Sequence, residues 1–255
     1  MAQPPEVDAT KNGPRWLATS LGGFALIALG LFGATTWIDR ATTLEKGWIE
    51  AENTAALLAA HAERALRVAE ISTARVAAMV EAIGFDDSRA PAILARLAAE
   101  APEINALELL DVSGRVLASS LPQRSTGDDP PSEALMALQA GAKSHISALG
   151  FERPGELRGF TWSRALREEG VLVGLAEATL HAEFFAGAAT DLRLGPDARL
   201  ALLRDDGALV LRWPPEGSAT AEGPRPRPAG RQLESGADGI TRLVAWHGAP
   251  GMPVT

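Results

Sequence analysis

The feature that most constrains this chain is a run of 23 residues without a charged side chain, Trp16 to Ile38. As an α-helix rising ~1.5 Å per residue, this run is ~34 Å long, which is enough to cross the ~30 Å hydrocarbon core of a bilayer. Trp16 and Trp37 bracket the run, where interfacial aromatic side chains are expected. The sequence therefore predicts a transmembrane helix over residues 16–38.

Flanking charges predict the orientation of this helix. Lys11 and Arg15 precede it, and Asp39 follows it directly. The positive-inside rule then favours a cytoplasmic tail of residues 1–15 and a C-terminal domain outside the membrane. A cleaved signal peptide is the alternative, but its apolar region would span ~7–15 residues and end at small side chains. This run is longer and ends in Trp37-Ile38-Asp39, so we expect a retained single-pass anchor.

Composition excludes several classes of function. The chain has no cysteine, which rules out disulfides, thiol catalysis and thiolate metal sites. Its net charge is -8, and residues 1–38 are neutral, so the acidic excess lies beyond the membrane run. An acidic surface repels nucleic acid, and we expect no nucleic-acid partner.

Residues 41–84 predict a long helix that emerges from the membrane, because Ala, Leu, Glu and Arg dominate and Pro is absent. An uncharged stripe with alternating spacings of four and three runs along it, as in a heptad seam. The stripe comprises Leu44, Trp48, Ala51, Ala55, Leu58, Ala62, Ala65, Ala69, Ser72, Val76, Met79 and Ile83. It could pack in its own domain, pair with a second copy to form a homodimer through residues 44–83, or do both.

The remaining sequence predicts a mixture of helices and strands that includes one repeated unit. Residues 106–118 predict two strands joined by a turn at Asp111 to Gly114, and residues 200–210 repeat the pattern at an offset of 93. The other predicted helices are 91–100, 132–140 and 181–190, and the other predicted strands are 144–149, 157–166, 171–180 and 239–246. Residues 214–230 hold five prolines and predict a solvated loop.

No catalytic or metal-binding pattern is evident. The histidines at 61, 145, 181 and 247 lack metal-ligand spacing, and neither a phosphate-binding glycine loop nor a nucleophile elbow is present. Acidic pairs such as Asp128-Asp129 fall in predicted loops or turns. We therefore expect no enzymatic activity, no metal and no cofactor in this chain.

One stretch predicts a ligand cradle. Arg158, Phe160, Trp162 and Arg164 fall on one face of a strand, which sets two guanidinium groups beside two aromatic rings. Such a face could hold a small carboxylate, because arginine pairs with carboxylates through two parallel hydrogen bonds. The alternative is that the aromatic rings belong to the core while both arginines reach neighbouring glutamates.

The order of these segments resembles the double-Cache family of bacterial sensor ectodomains, especially those on diguanylate cyclases and sensor histidine kinases. The matching stretches are Leu109 to Ser119, Ser163-Arg164, Gly174 to Leu180, Phe184-Phe185, Leu194 to Gly207 and Arg212 to Pro214. The resemblance covers roughly residues 40–255 and rests on order and spacing rather than on any single motif.

This resemblance implies an α+β fold of two PAS-like lobes with antiparallel sheets, one membrane-distal (85–190) and one membrane-proximal (191–255, expected to be incomplete). It also implies a bacterial inner-membrane receptor with a periplasmic sensor that binds a small molecule, and hence contact with the lipid bilayer. Amino-acid-binding members use a set that includes Tyr, which this chain lacks. His181 stands where related chains often carry Asp, and it joins the candidate ligand-binding residues.

Family members continue with a last strand, a second membrane helix and an output domain, none of which is expected before Thr255. The sequence therefore predicts the input region of a receptor. The alternative is a truncated, membrane-anchored dimerisation protein that senses no ligand.

Overall fold

In the computed structural model, residues 15–83 form one uninterrupted helix. The structure describes residues 15–121, 132–147, 159–181, 184–185, 187–188, 192, 194, 197–213, 229–236 and 239–254, with side chains from residue 20 onward. Helix α1 is Arg15–Ile83, so the predicted transmembrane helix and long helix are continuous. The chain divides into two compact units, Met1–Glu50 and Ala51–Thr255.

In the first unit, α1 exposes a long run of apolar side chains. Phe24, Phe32 and Trp37 are each more than 70% exposed. By length and composition, this is one helix that could cross a membrane. A soluble surface seldom carries so many exposed large apolar side chains together.

The second part of α1 packs into the core of its own unit. Ala62, Ala65, Ala69 and Val76 are buried among residues from the β-sheet. This confirms core packing for the stripe from residue 62. The earlier stripe positions Ala51 and Leu58 are only half-buried, and pairing with a second copy stays a prediction.

Helix α1 ends, and helix α3 (Glu133–Gln139) begins, where local signals predict. Gly84, with φ of 81°, ends α1 by donating its N–H to the carbonyl of Val80, and its lack of Cβ suits that conformation. Ser132 caps helix α3 by accepting a hydrogen bond from the N–H of Leu135 at 3.1 Å. The helices after α1 are α2 (Ala90–Ala99) and α3 (Glu133–Gln139).

A five-stranded antiparallel sheet holds most of the described strand residues of the second unit. The strands are β1 (Ile104–Leu110), β2 (Val116–Ser119), β3 (Ser144–Ile146), β4 (Gly159–Glu168), β5 (Val171–His181), β6 (Leu200–Leu203), β7 (Leu209–Trp213), β8 (Ala229–Ser235) and β9 (Thr241–His247). The order of the five-stranded sheet is β2-β1-β5-β4-β3, and β6-β7 and β8-β9 are separate antiparallel pairs. The predicted α+β class with antiparallel sheets is confirmed.

The two faces of the five-stranded sheet have different neighbours. On the helix face, Leu107, Leu109, Phe160 and Leu180 are buried in one cluster with residues of α1 and α2. On the opposite face, Leu110 and Leu175 pack with Leu135 and Leu138 of α3. Strand alternation sends successive side chains to these two faces, so each residue's face follows from the register.

The repeated unit has the same geometry at both copies. Each hairpin has an irregularity one residue before its turn, at Leu109/Leu110 and at Leu202/Leu203. Each turn then holds a glycine at positive φ, Gly114 at 87° and Gly207 at 90°. The offset of 93 residues therefore relates two equivalent hairpins. The division of residues 85–255 into lobes 85–190 and 191–255 stays a prediction.

Strand β8 was not predicted from the sequence. Its residues are mostly polar and mostly exposed, so it has no apolar alternation to reveal it. Its regular pairing with β9, from Ala229↔His247 to Ser235↔Thr241, rests on backbone hydrogen bonds. Gly230 lets the ring of Trp246 pack against its backbone, where a Cβ would collide.

Candidate functional site

A row of polar side chains crosses the opposite face of the five-stranded sheet. The register pairs Ser119 with Glu108, Glu108 with Glu177, Glu177 with Ser163, and Ser163 with His145. Directly paired residues point to the same face of a sheet. These five residues, one from each strand, are called the polar row below.

Serine hydroxyls hold both carboxylates of the polar row. Ser119 Oγ donates to Glu108 Oε1 at 3.0 Å, and Ser163 Oγ donates to Glu177 Oε1 at 2.8 Å. Glu108 is only 2% exposed and Ser163 is fully buried, whereas Ser119 and Glu177 are half-buried. Hydrogen bonds to a buried carboxylate offset part of the cost of removing it from water.

The polar row sets two carboxyl side chains next to each other in the middle of the sheet. Glu108 and Glu177 stand directly opposite each other on neighbouring strands, and like charges in that position are destabilising. Each carboxylate already accepts a hydrogen bond from a serine, and its oxygens can accept more from a positively charged or hydrogen-bond-donating group. The row is therefore suited to recognising such a group.

His145 links the polar row to a group of charged residues from other elements. Its Nε2 lies 2.9 Å from Nη1 of Arg204 and 3.7 Å from the carboxylate of Glu133. Burial, and then the charge of Arg204, lower the pKa of His145 below its usual value of 6.5. The ring is therefore mainly neutral at pH 7, and a neutral Nε2 can accept a hydrogen bond from Arg204.

Arg204 lies at the start of the turn between β6 and β7, and its side chain is only 12% exposed. It donates to Glu133 Oε1 at 2.6 Å, to Asp206 Oδ2 at 2.6 Å and to the carbonyl of Ile146 at 2.8 Å. The hydrogen bond from Arg204 is the main cause that lowers the pKa of Asp206 to about 2. Two carboxylates thus neutralise this largely buried cation.

The structure does not bring all of the predicted site residues together. Phe160 and Trp162 are 1% and 4% exposed and belong to the core on the helix face, as the alternative reading of this stretch stated. Arg164 lies half-buried on the same face, paired with Ser144 and Ala176. Arg158 lies outside the described residues.

His181 lies on the other side of the sheet from Phe160 and Trp162. It pairs with Gly159 at the end of β5, on the face that carries the polar row. Phe160 instead packs against Phe185, with ring centroids 5.3 Å apart, and His61 of α1 stacks on Phe184 at 4.3 Å. His181 therefore lies on the opposite face of the sheet from Phe160 and Trp162. The carboxylate cradle at Arg158 and Arg164 stays a prediction.

Sequence reasoning missed the polar row, although one signal was available. Glu108 interrupts the apolar strand Ile104–Leu110, and Glu177 interrupts Val171–His181. A carboxylate inside a largely buried strand is uncommon and needs partners. The sequence did not reveal that the two residues are neighbours, because that depends on the register between strands 65 or more residues apart.

A cleft of about 220 Å³ lies elsewhere in the second unit. Its lining includes Phe85, Asp87, Pro91, Leu117 and Ala118, which places it at the β2 edge of the helix face. Asp87 is already held by Arg89 at 2.7 Å, and this pairing lowers its pKa to about 2. Within the described ranges, no three His, Cys, Asp or Glu side chains are grouped to hold a metal ion.

Comparisons with known proteins identify the fold. No protein-family model and no curated protein matches the chain. The solved extracellular domain of rpHK1S-Z16, a predicted histidine kinase, is similar at 23% identity and a TM-score of 0.72, covering 83% of this chain and 92% of that one.

Two chemoreceptor ligand-binding domains are also similar. That of Pseudomonas fluorescens CtaA, solved with L-isoleucine, is 16% identical with a TM-score of 0.57, covering 84% of this chain and 91% of that one. That of Pseudomonas aeruginosa PctC, solved with GABA, is 17% identical with a TM-score of 0.51, covering 76% and 97%. This chain therefore has the fold of the extracellular, Cache-like sensor domains of histidine kinases and chemoreceptors.

Proposed function

We propose that this chain is the ligand-sensing input region of a bacterial membrane receptor, and that the polar row is its ligand-binding surface. The observation that carries this proposal is the pair Glu108 and Glu177, two carboxylates side by side in the centre of a sheet. A purely structural sheet gains little from such a pair, because burying charge costs more than burying apolar side chains of similar volume. The fold of the similar solved domains supports a sensor rather than a catalyst.

The polar row favours a ligand that carries an ammonium group. Carboxylates accept charge-assisted hydrogen bonds from ammonium groups, and a partly buried site strengthens them. GABA and L-isoleucine, the compounds named with two of the similar domains, each carry an ammonium group and a carboxylate. The carboxylate of such a ligand would need a separate positive group, for which the predicted arginines 158 and 164 are candidates.

Matched ligands separate these possibilities. GABA, butylamine and butyrate share a four-carbon chain and differ in which charged groups they carry, and the same trio can be extended to other chain lengths. The full chain in detergent micelles is heated with each compound, and the unfolding midpoint is recorded. At ~100 times the dissociation constant, a bound compound stabilises the fold by about 2.7 kcal/mol, or roughly 5–10 °C for a domain of this size.

We expect amine-bearing compounds to raise the midpoint, and Glu177→Gln to abolish the rise. Glu168→Gln, at the exposed end of β4, is the matched control and should leave it unchanged. If butyrate alone raised the unfolding midpoint and Arg164→Ala abolished that rise, the polar row would not be the ligand-binding surface, and the arginine cradle would be supported. If no compound of any trio raised the unfolding midpoint, a dimerisation protein that senses no ligand would be favoured.

The finer features of the receptor belong to the same proposal. We place the anchor in the bacterial inner membrane, single-pass, with the second unit in the periplasm. The output domain of the receptor would be a sensor histidine kinase, as in a two-component system, or a diguanylate cyclase. The similarity to rpHK1S-Z16 favours the histidine kinase type. Pairing of two copies along the α1 stripe would join two such receptors.

A further inference from the structure

Arg204 connects three parts of the second unit that are far apart in the sequence. Its guanidinium group contacts His145 and the carbonyl of Ile146 on β3, and Glu133 at the start of α3. These partners are 58 to 71 residues away along the chain. The contacts join the β6–β7 hairpin to the β3 edge of the five-stranded sheet, next to the end of the polar row.

The backbone of the same turn is bonded to the C-terminal segment, residues 249–254. Arg204 forms an isolated antiparallel bridge with Val254, and the N–H of Asp205 donates to the carbonyl of Pro253 at 3.0 Å. Val254 and Met252 are 1% and 8% exposed, so this segment is packed into the core. One residue thus contacts β3 through its side chain and the C-terminal segment through its backbone.

The equivalent turn of the first hairpin shows that this arrangement is not required by turn geometry. Asp111 occupies the position 93 residues before Arg204, and both residues begin turns with the same glycine conformation. The carboxylate of Asp111 bonds Ser113 and Arg115, inside its own turn. Arg204 pairs locally with Asp206 but also reaches across to β3 and α3.

We propose that Arg204 is a coupling residue, through which a displacement of β3 at the end of the polar row reaches the C-terminal segment. The physical basis is geometric. Arg204 is held by two carboxylates and a carbonyl and has little free space, so β3 cannot shift without moving the guanidinium group or breaking its hydrogen bonds. The assignment of ligand binding as the trigger rests on the proposed function, whereas the coupling itself does not.

A double-mutant cycle without ligand tests the coupling, so its result is independent of whether a ligand is found. The full chain in detergent micelles carries His145→Ala, Arg204→Met or both. Hydrogen exchange is followed in peptides that cover residues 144–147, 203–207 and 249–254. His145→Ala should speed exchange in 249–254 severalfold. Arg204→Met should speed it at least about tenfold, because it removes the hydrogen bonds to Glu133, Asp206 and the carbonyl of Ile146.

The double variant should exchange no faster than Arg204→Met, because the perturbation at His145 would no longer be transmitted. Asp111→Asn is the matched control, which disturbs the equivalent turn and should leave 249–254 unchanged. Arg204→Lys keeps the charge but loses the guanidinium geometry, so its exchange rate in 249–254 should lie between those of the wild type and Arg204→Met. This variant takes the place of Arg204→Met in the cycle if Arg204→Met does not fold. The proposal would be overturned if the two substitutions had additive effects on exchange in 249–254. It would also be overturned if His145→Ala left exchange in 249–254 unchanged.

Discussion

At Gly174 the absence of a side chain allows strand β5 to approach two neighbours closely. A Cβ at this position would lie 2.6 Å from Cε1 of Phe85 and 2.7 Å from the carbonyl oxygen of Leu110. The ring of Phe85 can shift, but the carbonyl belongs to strand β1 and is fixed by its ladder. Gly174 therefore stands where strand β5, the loop after α1 and strand β1 meet.

We expect Gly174→Ala to destabilise the second unit by about 1–3 kcal/mol, the usual cost of overpacking a filled core. The unfolding midpoint of the full chain in micelles would fall by several degrees. Gly187→Ala is the matched control, because a Cβ there meets nothing within 4 Å. Equal midpoints for the two variants would show that β1 and β5 can separate at little cost.

At the scale of elements, α1 carries two different environments within one helix. Its apolar side chains before residue 39 are exposed, whereas the stripe positions from Ala62 to Met79 are buried against the sheet. The first pattern suits a lipid environment and the second a protein core, although both are rich in Ala and Leu. Flanking charges and aromatic residues, rather than helix propensity, distinguish the two.

We expect alkaline phosphatase fused after Thr255 to be active, because that enzyme folds only in the periplasm and the anchor would carry it there. A fusion after Arg15, before the apolar run, is the control and should be inactive. Activity is measured in whole cells, alongside fusion abundance. A mature protein that begins after residue 38 would indicate a cleaved signal peptide, and an abundant but inactive Thr255 fusion would reverse the orientation.

Local signals predicted most elements, and pairing between distant elements could not be predicted. The turn at Asp111 to Gly114 and the end of α1 at Gly84 were both recoverable, because Asp and Gly specify those conformations themselves. The sequence also correctly placed Phe160 and Trp162 on one face of a strand, but it did not indicate that this face packs against α1. Neither the polar row nor the contacts of Arg204 could be found, since each depends on strands brought together from separate parts of the chain.

On the scale of the whole molecule, two copies of the chain can pair only through those α1 stripe residues that are not buried in the chain's own core. Ala62 and Ala65 are 2% and 0% exposed, so that part of the stripe is unavailable. Leu58 is half-buried, and its neighbour Leu57 is 59% exposed but lies off the stripe. These adjacent leucines provide a matched pair for testing the dimer.

If two copies pair along the stripe, Leu58→Lys should lower the dimer fraction of the full chain in micelles, because it places a charge in an apolar seam. Leu57→Lys should leave it unchanged. Light scattering gives the mass, and the unfolding midpoint shows that the fold is retained. A wild-type chain that is monomeric, or a dimer that tolerates Leu58→Lys, would refute pairing through this stripe.

The strand order of the five-stranded sheet has a further consequence for how the chain folds. Strands β4 and β5 are joined by the two-residue turn Glu169–Gly170, with φ of 49° and 85°, and their paired residues are 3 to 22 positions apart. Residues paired between β1 and β5 are 65 to 76 positions apart. Because closing a longer loop costs more entropy, we expect the hairpin to form early and to provide the edge onto which β1 docks. During synthesis, the apolar strand β1 would pair with β2 soon after leaving the ribosome, but its other edge would stay unpaired and prone to aggregation until β5 exists.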